Sequence, residues 1–127
     1  MQPKILIVDD EALIRMLYQK HIERAGYELL TAKSAEEGLA IVRAQKPAVV
    51  ILDVIMAGAD GLAALRELKS NEETKTIPVI IFTATISKAY DETRREAASA
   101  GAATFLTKPL SPDRLVAEIA RLVPDTA

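Results

Sequence analysis

The sequence predicts an α/β domain: a parallel sheet with helices on both faces. Three observations lead there. Five short apolar runs rich in Val and Ile recur along the chain, each too short for a helix. Segments with helical spacing fill the intervals, so strand and helix alternate from end to end. The composition, 50% hydrophobic with only 4% aromatic over 127 residues and a net charge of −2, suits one aliphatic core and excludes a disordered chain. Strict alternation of this kind favours parallel strands joined by right-handed crossovers.

The elements follow in order. Lys4 to Val8 is the first strand, and two aspartates end it. Ile14, Leu17, Ile22 and Ala25 give the first helix an apolar stripe, with Gly26 as its stop. Tyr27 to Thr31 is the second strand; Ser34 then opens the second helix, with Glu37 three residues on as a capping box. Ala48 to Leu52 is the third strand, and the third helix begins near Asp60 or Gly61 and carries Leu62, Leu65 and Leu68. After the fourth strand, Ile77 to Phe82, Ser87 precedes an alanine-rich helix that Gly101 ends. The fifth strand is Ala103 to Leu106. Ser111 and Pro112 supply a cap and a first-turn proline for the last helix, which runs through Leu115, Ile119 and Leu122. These units fill residues 1–127 as a single domain, and the absence of a linker after Val123 favours a stand-alone protein.

Several function classes drop out. Without cysteine there is no disulfide framework and no thiolate metal site. No apolar run approaches the roughly 18 residues that span a bilayer, and Pro3-Lys4 leading into a short run that ends in aspartates is not a signal-peptide pattern. The near balance of 16 basic and 18 acidic side chains argues against a broad nucleic-acid footprint.

Chemistry concentrates where the strands end. The first run ends in Asp9 and Asp10, the third in Asp53, the fourth in Thr83, and the fifth in Lys108 and Pro109. In an open parallel sheet all carboxyl ends lie on one edge, where ligands bind. Carboxylates brought together repel one another unless a cation compensates. An oxygen-only donor set suits Mg²⁺. With Lys108 as a compact positive charge and Thr83 as a hydroxyl donor, the set can stabilise a phosphoryl group. One carboxylate is then a candidate nucleophile for an aspartyl phosphate. Asp53 suits that role best, because it stands alone while Asp9 and Asp10 can share the metal.

Asp9-Asp10, Asp53, Thr83 and Lys108-Pro109, at these spacings, resemble the receiver domain of bacterial two-component response regulators, from Lys4 to about Val123. The resemblance implies a doubly wound (βα)5, flavodoxin-like three-layer sandwich of strand order 2-1-3-4-5. It implies that Asp53 accepts phosphate from a sensor histidine kinase or histidine phosphotransfer protein. Mg²⁺ would be held by Asp10, Asp53 and the backbone carbonyl of Ile55, with Asp9 acting through water. Thr83 and Lys108 would contact the phosphoryl group, and the Lys108-Pro109 peptide would be cis. Met56, Gly58, Asp60 and Gly61 resemble the loop after the phosphorylated aspartate, and Phe105 matches an aromatic switch position. Ala57 departs from the family's usual proline, which leaves that loop less constrained. Ile55 and Thr85 match positions that tune phosphoryl lifetime, and Ile55 has no side-chain atom to hold an attacking water.

The function implied is a cytoplasmic, phosphorylation-operated switch, not a turnover enzyme. Phosphate on Asp53 would draw Thr83 inward and let Phe105 turn, reshaping the face of the fourth helix, fifth strand and fifth helix for a downstream effector protein. The protein would be a monomer or a phosphorylation-dependent dimer, binding neither nucleic acid nor membrane. The rival is a Mg²⁺-dependent aspartyl-phosphate phosphatase or phosphotransferase of the haloacid dehalogenase type. Such enzymes carry an Asp-x-Asp motif, but two residues beyond Asp53 stands Ile55, and two beyond Asp9 stands Glu11. The five glycines form neither a Walker A loop nor a dinucleotide fingerprint. A receiver-like partner-binding protein without phosphorylation is disfavoured because the full set of chemical residues is present.

Three features outside the strand ends have simpler readings. His21, the lone histidine, is a helix-surface residue, not a phosphodonor on a helical bundle. Arg94-Arg95 with Asp91, Glu92 and Glu96 is a solvated helix face or a partner-recognition surface. The fourth helix has only Ala89, Tyr90, Ala97 and Ala98 as apolar anchors, which marks it as a moving part.

Overall fold

A computed structural model describes residues 2–56, 59–84 and 90–124. Strand β1 (Lys4–Val8) is buried over its last four residues. A strand covered on both faces has no solvent side, which is why its sequence lacks polar alternation. It pairs in parallel with β2 (Glu28–Ala32) on one side and β3 (Val49–Leu52) on the other. Beyond β3 come β4 (Val79–Ala84) and then β5 (Thr104–Lys108), also parallel. The order is thus 2-1-3-4-5, a doubly wound sheet whose direction of winding reverses between β1 and β3.

The helices are α1 (Ala12–Arg24), α2 (Ala35–Gln45), α3 (Gly61–Ser70), α4 (Tyr90–Ser99) and α5 (Pro112–Leu122). A two-residue antiparallel pair, Ile55–Met56 with Ala59–Asp60, leads from β3 into α3. Successive strand residues point to opposite faces. Ile5, Ile7, Ile51, Ile80 and Phe82 pack with Tyr18, Ile22, Leu115 and Ile119 of α1 and α5. Leu6, Val8, Leu52, Val79 and Ile81 pack with Val42, Leu65, Leu68 and Ala97 on the α2, α3 and α4 side.

Local signals hold where the sequence placed them. Ser34 accepts a hydrogen bond from the Glu37 N–H at 3.1 Å, and Ser111 accepts from the Arg114 N–H at 3.2 Å. Gly26 and Gly101 follow their helices at φ of 99° and 102°, values that favour glycine. The Lys108-Pro109 peptide is cis. Ser87, Ala89, Ala57, Gly58 and Thr85 lie outside the described residues.

Two expectations are corrected. Both β4 and β5 run two residues further than the apolar runs: Thr83 pairs with Thr107 and Ala84 with Lys108, because the backbone ladder continues under polar side chains. In α1 the inward stripe is Tyr18 and Ile22, both buried, with Ile14 partly buried, while Leu17 is 53% exposed and Ala25 is also exposed. Tyr18 is buried because its polar end is satisfied: the hydroxyl donates to the Leu110 carbonyl at 2.6 Å, and the ring meets Phe82 edge-on at 5.3 Å. Leu13, Met16 and Leu17 consequently face outward. His21 is half-buried on α1.

Helix α4 buries little through its described side chains. Among its described residues only Ala97 is fully buried, whereas α5 buries Leu115 and Ile119. One methyl group contributes about 0.8 kcal/mol by burial, against roughly 1.5–3 kcal/mol for each branched aliphatic side chain.

Candidate functional site

The strand ends deliver their polar groups as the topology requires. The Asp9 N–H donates to the Ala32 carbonyl and the Asp53 N–H to the Val8 carbonyl, both at 3.0 Å, so both residues are fixed by extensions of the ladder. Asp9, Asp53 and Thr83 are each at most 3% exposed, while Asp10 is exposed. The Thr83 hydroxyl donates to Asp53 Oδ1 at 2.7 Å. Lys108 Nζ donates to Asp53 Oδ2 at 2.9 Å and to Asp9 Oδ2 at 2.5 Å. Residues from β1, β3, β4 and β5 thus meet at the carboxyl edge, as their spacing predicted.

Lys108 is the electrostatic hinge of the cluster. Burial alone pulls its pKa down, but its hydrogen bonds to Asp9 and Asp53 and their charges outweigh burial and hold it above the ordinary lysine value. The Phe82 ring lies beneath the ammonium at 5.7 Å, within cation–π range. One ammonium nevertheless faces several acids. Oxygens of Asp9, Asp10, Glu11 and Asp53 all lie within 4.8 Å of one another, a grouping able to hold a cation. The donors are carboxylates only, which fits a hard divalent ion such as Mg²⁺ rather than a transition metal.

Three contributors escaped the sequence reading. Glu11 joins the acidic group and lies 3.9 Å from Lys108 Nζ. Its N–H also donates to Asp9 Oδ1 at 2.9 Å, so Asp9 closes the turn into α1 with its side chain. Arg15 Nη1 donates to the Asp9 carbonyl at 2.7 Å. Tyr18 holds the carbonyl of Leu110, two residues beyond Lys108. Only the Asp-x-x pattern before the helix hinted at the Glu11 turn; the other two partners are backbone carbonyls.

Glycine sets the approach of α3. A Cβ on Gly61 would lie 2.5 Å from the Val54 Cα and 2.7 Å from the Asp53 carbonyl oxygen, closer than real Cβ atoms come to backbone. Gly61→Ala should therefore push the segment after Asp53 aside, at a cost of about 2 kcal/mol, within the range for overpacking. A urea midpoint unchanged from wild type would contradict this packing.

Thr83 and Phe105 share one sheet face. Ile81 pairs with Phe105 and Thr83 with Thr107, so Phe105 is the diagonal neighbour of Thr83, half-buried against the core on the α4 side.

Comparison with known proteins identifies the family. The model of the response regulator receiver domain matches residues 5–120. The chain is 39% identical over 115 residues to PhoB, the phosphate regulon transcriptional regulatory protein of Pseudomonas aeruginosa, covering 91% of this chain and 49% of PhoB. It is 35% identical over 116 residues to PilH of the same organism, covering 91% of this chain and 93% of PilH. Its fold is similar to the chemotaxis response regulator CheY4 of Vibrio cholerae, with a TM-score of 0.85 and 29% identity over 96% of this chain and 99% of that one. The chain spans about half the length of PhoB and of the ycf27 regulator of Porphyra purpurea. With the sheet order, the strand-end acids and the family match in agreement, the chain belongs to the response regulator receiver domain family, the phosphorylation-controlled signalling modules of two-component systems.

Proposed function

We propose that Asp53 is the phosphoacceptor and that the donor is a phosphohistidine on a sensor histidine kinase or a histidine phosphotransfer protein. The observation that carries this reading is the pairing of the Asp53 oxygens, one with the Thr83 hydroxyl and one with the Lys108 ammonium. An Asp53 oxygen attacks phosphorus; a P–O bond forms, the P–N bond breaks, and the imidazole nitrogen keeps the electron pair. Thr83 and Lys108 already lie within hydrogen-bond reach of the attacking carboxylate and are placed to follow its charge onto the phosphoryl oxygens.

The residues fit Mg²⁺, which when bound would supply positive charge to the transferring group. Asp10, Asp53 and the Ile55 backbone carbonyl are its proposed direct holders. Asp9 has both oxygens engaged, by the Glu11 N–H and Lys108, which suits a role through water. Ile55, two beyond Asp53, supplies no general acid, so the chain assists only its own phosphorylation and dephosphorylation. Labelling by a small phosphodonor with Mg²⁺ tests the reading. Chelating the metal should abolish it, and undiminished labelling in chelator would overturn the metal assignment.

The output would be carried by α4, β5 and α5. Phosphate on Asp53 draws Thr83 toward it, and Phe105, diagonal to Thr83 on the same face, turns into the space released. A nearly complete shift needs about 5.5 kcal/mol of differential stabilisation. The small burial of α4 through its described side chains lowers the cost of rearranging that face. The partner is a downstream effector protein in the cytoplasm, and the phosphorylated form is a monomer or a dimer. Phe105→Ala should leave phosphorylation intact and weaken effector binding to the phosphorylated form; unchanged binding would remove Phe105 from the switch.

A further inference from the structure

We propose that Arg15 is a positioning residue for the acidic pair: it fixes the Asp9–Asp10 peptide so that the Asp10 carboxylate is held toward the cation. The inference rests on the reading of the cluster as a Mg²⁺ site.

The geometry points to Arg15 because of what it holds. Its guanidinium is half-buried on α1 and reaches back six residues to the Asp9 carbonyl, at 2.7 Å. That carbonyl belongs to the peptide unit joining Asp9 to Asp10. The other polar groups of Asp9 are also committed: the N–H to Ala32, Oδ1 to the Glu11 N–H, and Oδ2 to Lys108. Asp9 is thus a fixed post. Asp10 is different, since it is exposed, follows the end of β1, and precedes the first residue of α1, Ala12. The preceding peptide is planar, so its orientation fixes the Asp10 N–Cα bond from which the side chain is carried. Arg15 holds the carbonyl of that peptide.

Charge alone predicts the opposite behaviour, which makes the inference testable. Removing a cation beside a divalent-ion site reduces repulsion and should tighten Mg²⁺ binding. Removing a group that orients a ligand should weaken it, by about tenfold at the low end of such effects. The sign of the change separates the two.

The experiment is a Mg²⁺ titration, followed by calorimetry and by the amide signals of Asp10 and Asp53, on wild type, Arg15→Met, Arg15→Gln and Arg15→Lys. Urea unfolding in chelator runs in parallel. Methionine and glutamine should each weaken binding about tenfold while the variants stay folded, and lysine should restore most of the loss. Binding by the methionine and glutamine variants as tight as wild type, or tighter, would overturn the proposal. So would a lysine variant as weak as methionine. Absence of Mg²⁺ binding by wild type would instead overturn the metal reading on which it rests. Using both neutral variants keeps the result independent of one variant's folding.

Discussion

Asp53→Asn should accept no phosphoryl group from a small phosphodonor in the presence of Mg²⁺, while keeping its fold. The amide cannot act as the anionic nucleophile, yet it retains an oxygen for Thr83 or Lys108 to bond. Loss of labelling in a folded variant is therefore a chemical loss and not collapse of the site. Its stability without metal should be equal to or above that of wild type. Asp9 and Asp53 are 2% and 3% exposed and share one ammonium, so removing one charge relieves repulsion between buried carboxylates. Labelling undiminished from wild type would move the acceptor to another residue.

Lys108→Met should be the most destabilising single change at the site, measured in chelator at neutral pH. The ammonium is 9% exposed and bonded to two buried carboxylates; methionine keeps the volume and leaves both acids unpaired. Breaking a buried pair by removing one partner costs roughly 3–5 kcal/mol. One further trend follows from the same cause. Mg²⁺ should reduce the deficit, because it would replace the lost charge. At the alkaline end the wild type changes. The Lys108 pKa is raised in the folded state, so its contribution is fully present below the ordinary value of 10.5 and is lost as pH rises through the folded value. The advantage of wild type over Lys108→Met should thus hold through neutral pH and fall only in strong alkali. A deficit below about 1 kcal/mol, the scale of an exposed ion pair, would contradict the buried bridge.

The opposite signs expected of these two substitutions show what kind of site this is. It is built around a group of acids that a single lysine only partly offsets, a grouping able to hold a cation. Two α1 residues, Arg15 and Tyr18, hold the backbone carbonyls of Asp9 and of Leu110, two residues beyond the lysine. The same helix turns Leu13, Met16 and Leu17 outward.

Much of this was legible in the sequence because it depends on topology. Once strand and helix alternate, every strand end falls on one edge, and the residues there can be read off as a group. Asp9, Asp53, Thr83 and Lys108 meet as that rule requires. What stayed hidden depends on partners with no sequence signature. Arg15 bonds a backbone carbonyl, which every residue carries. Tyr18 is buried in place of Leu17 because a carbonyl 92 residues away satisfies its hydroxyl, and hydropathy alone ranks leucine above tyrosine for that position. The strands outran their apolar runs because ladder bonds come from the backbone, so Thr83 and Lys108 sit in strands and not in the loops after them.

The most direct test of the central claim is to locate the phosphoryl group. The wild-type chain is labelled with a small phosphodonor and Mg²⁺, reduced with borohydride to convert an acyl phosphate to homoserine, and digested for mass spectrometry. The account predicts one homoserine, at position 53. Modification of Asp9, Asp10 or Glu11, or phosphate found on His21, would contradict it.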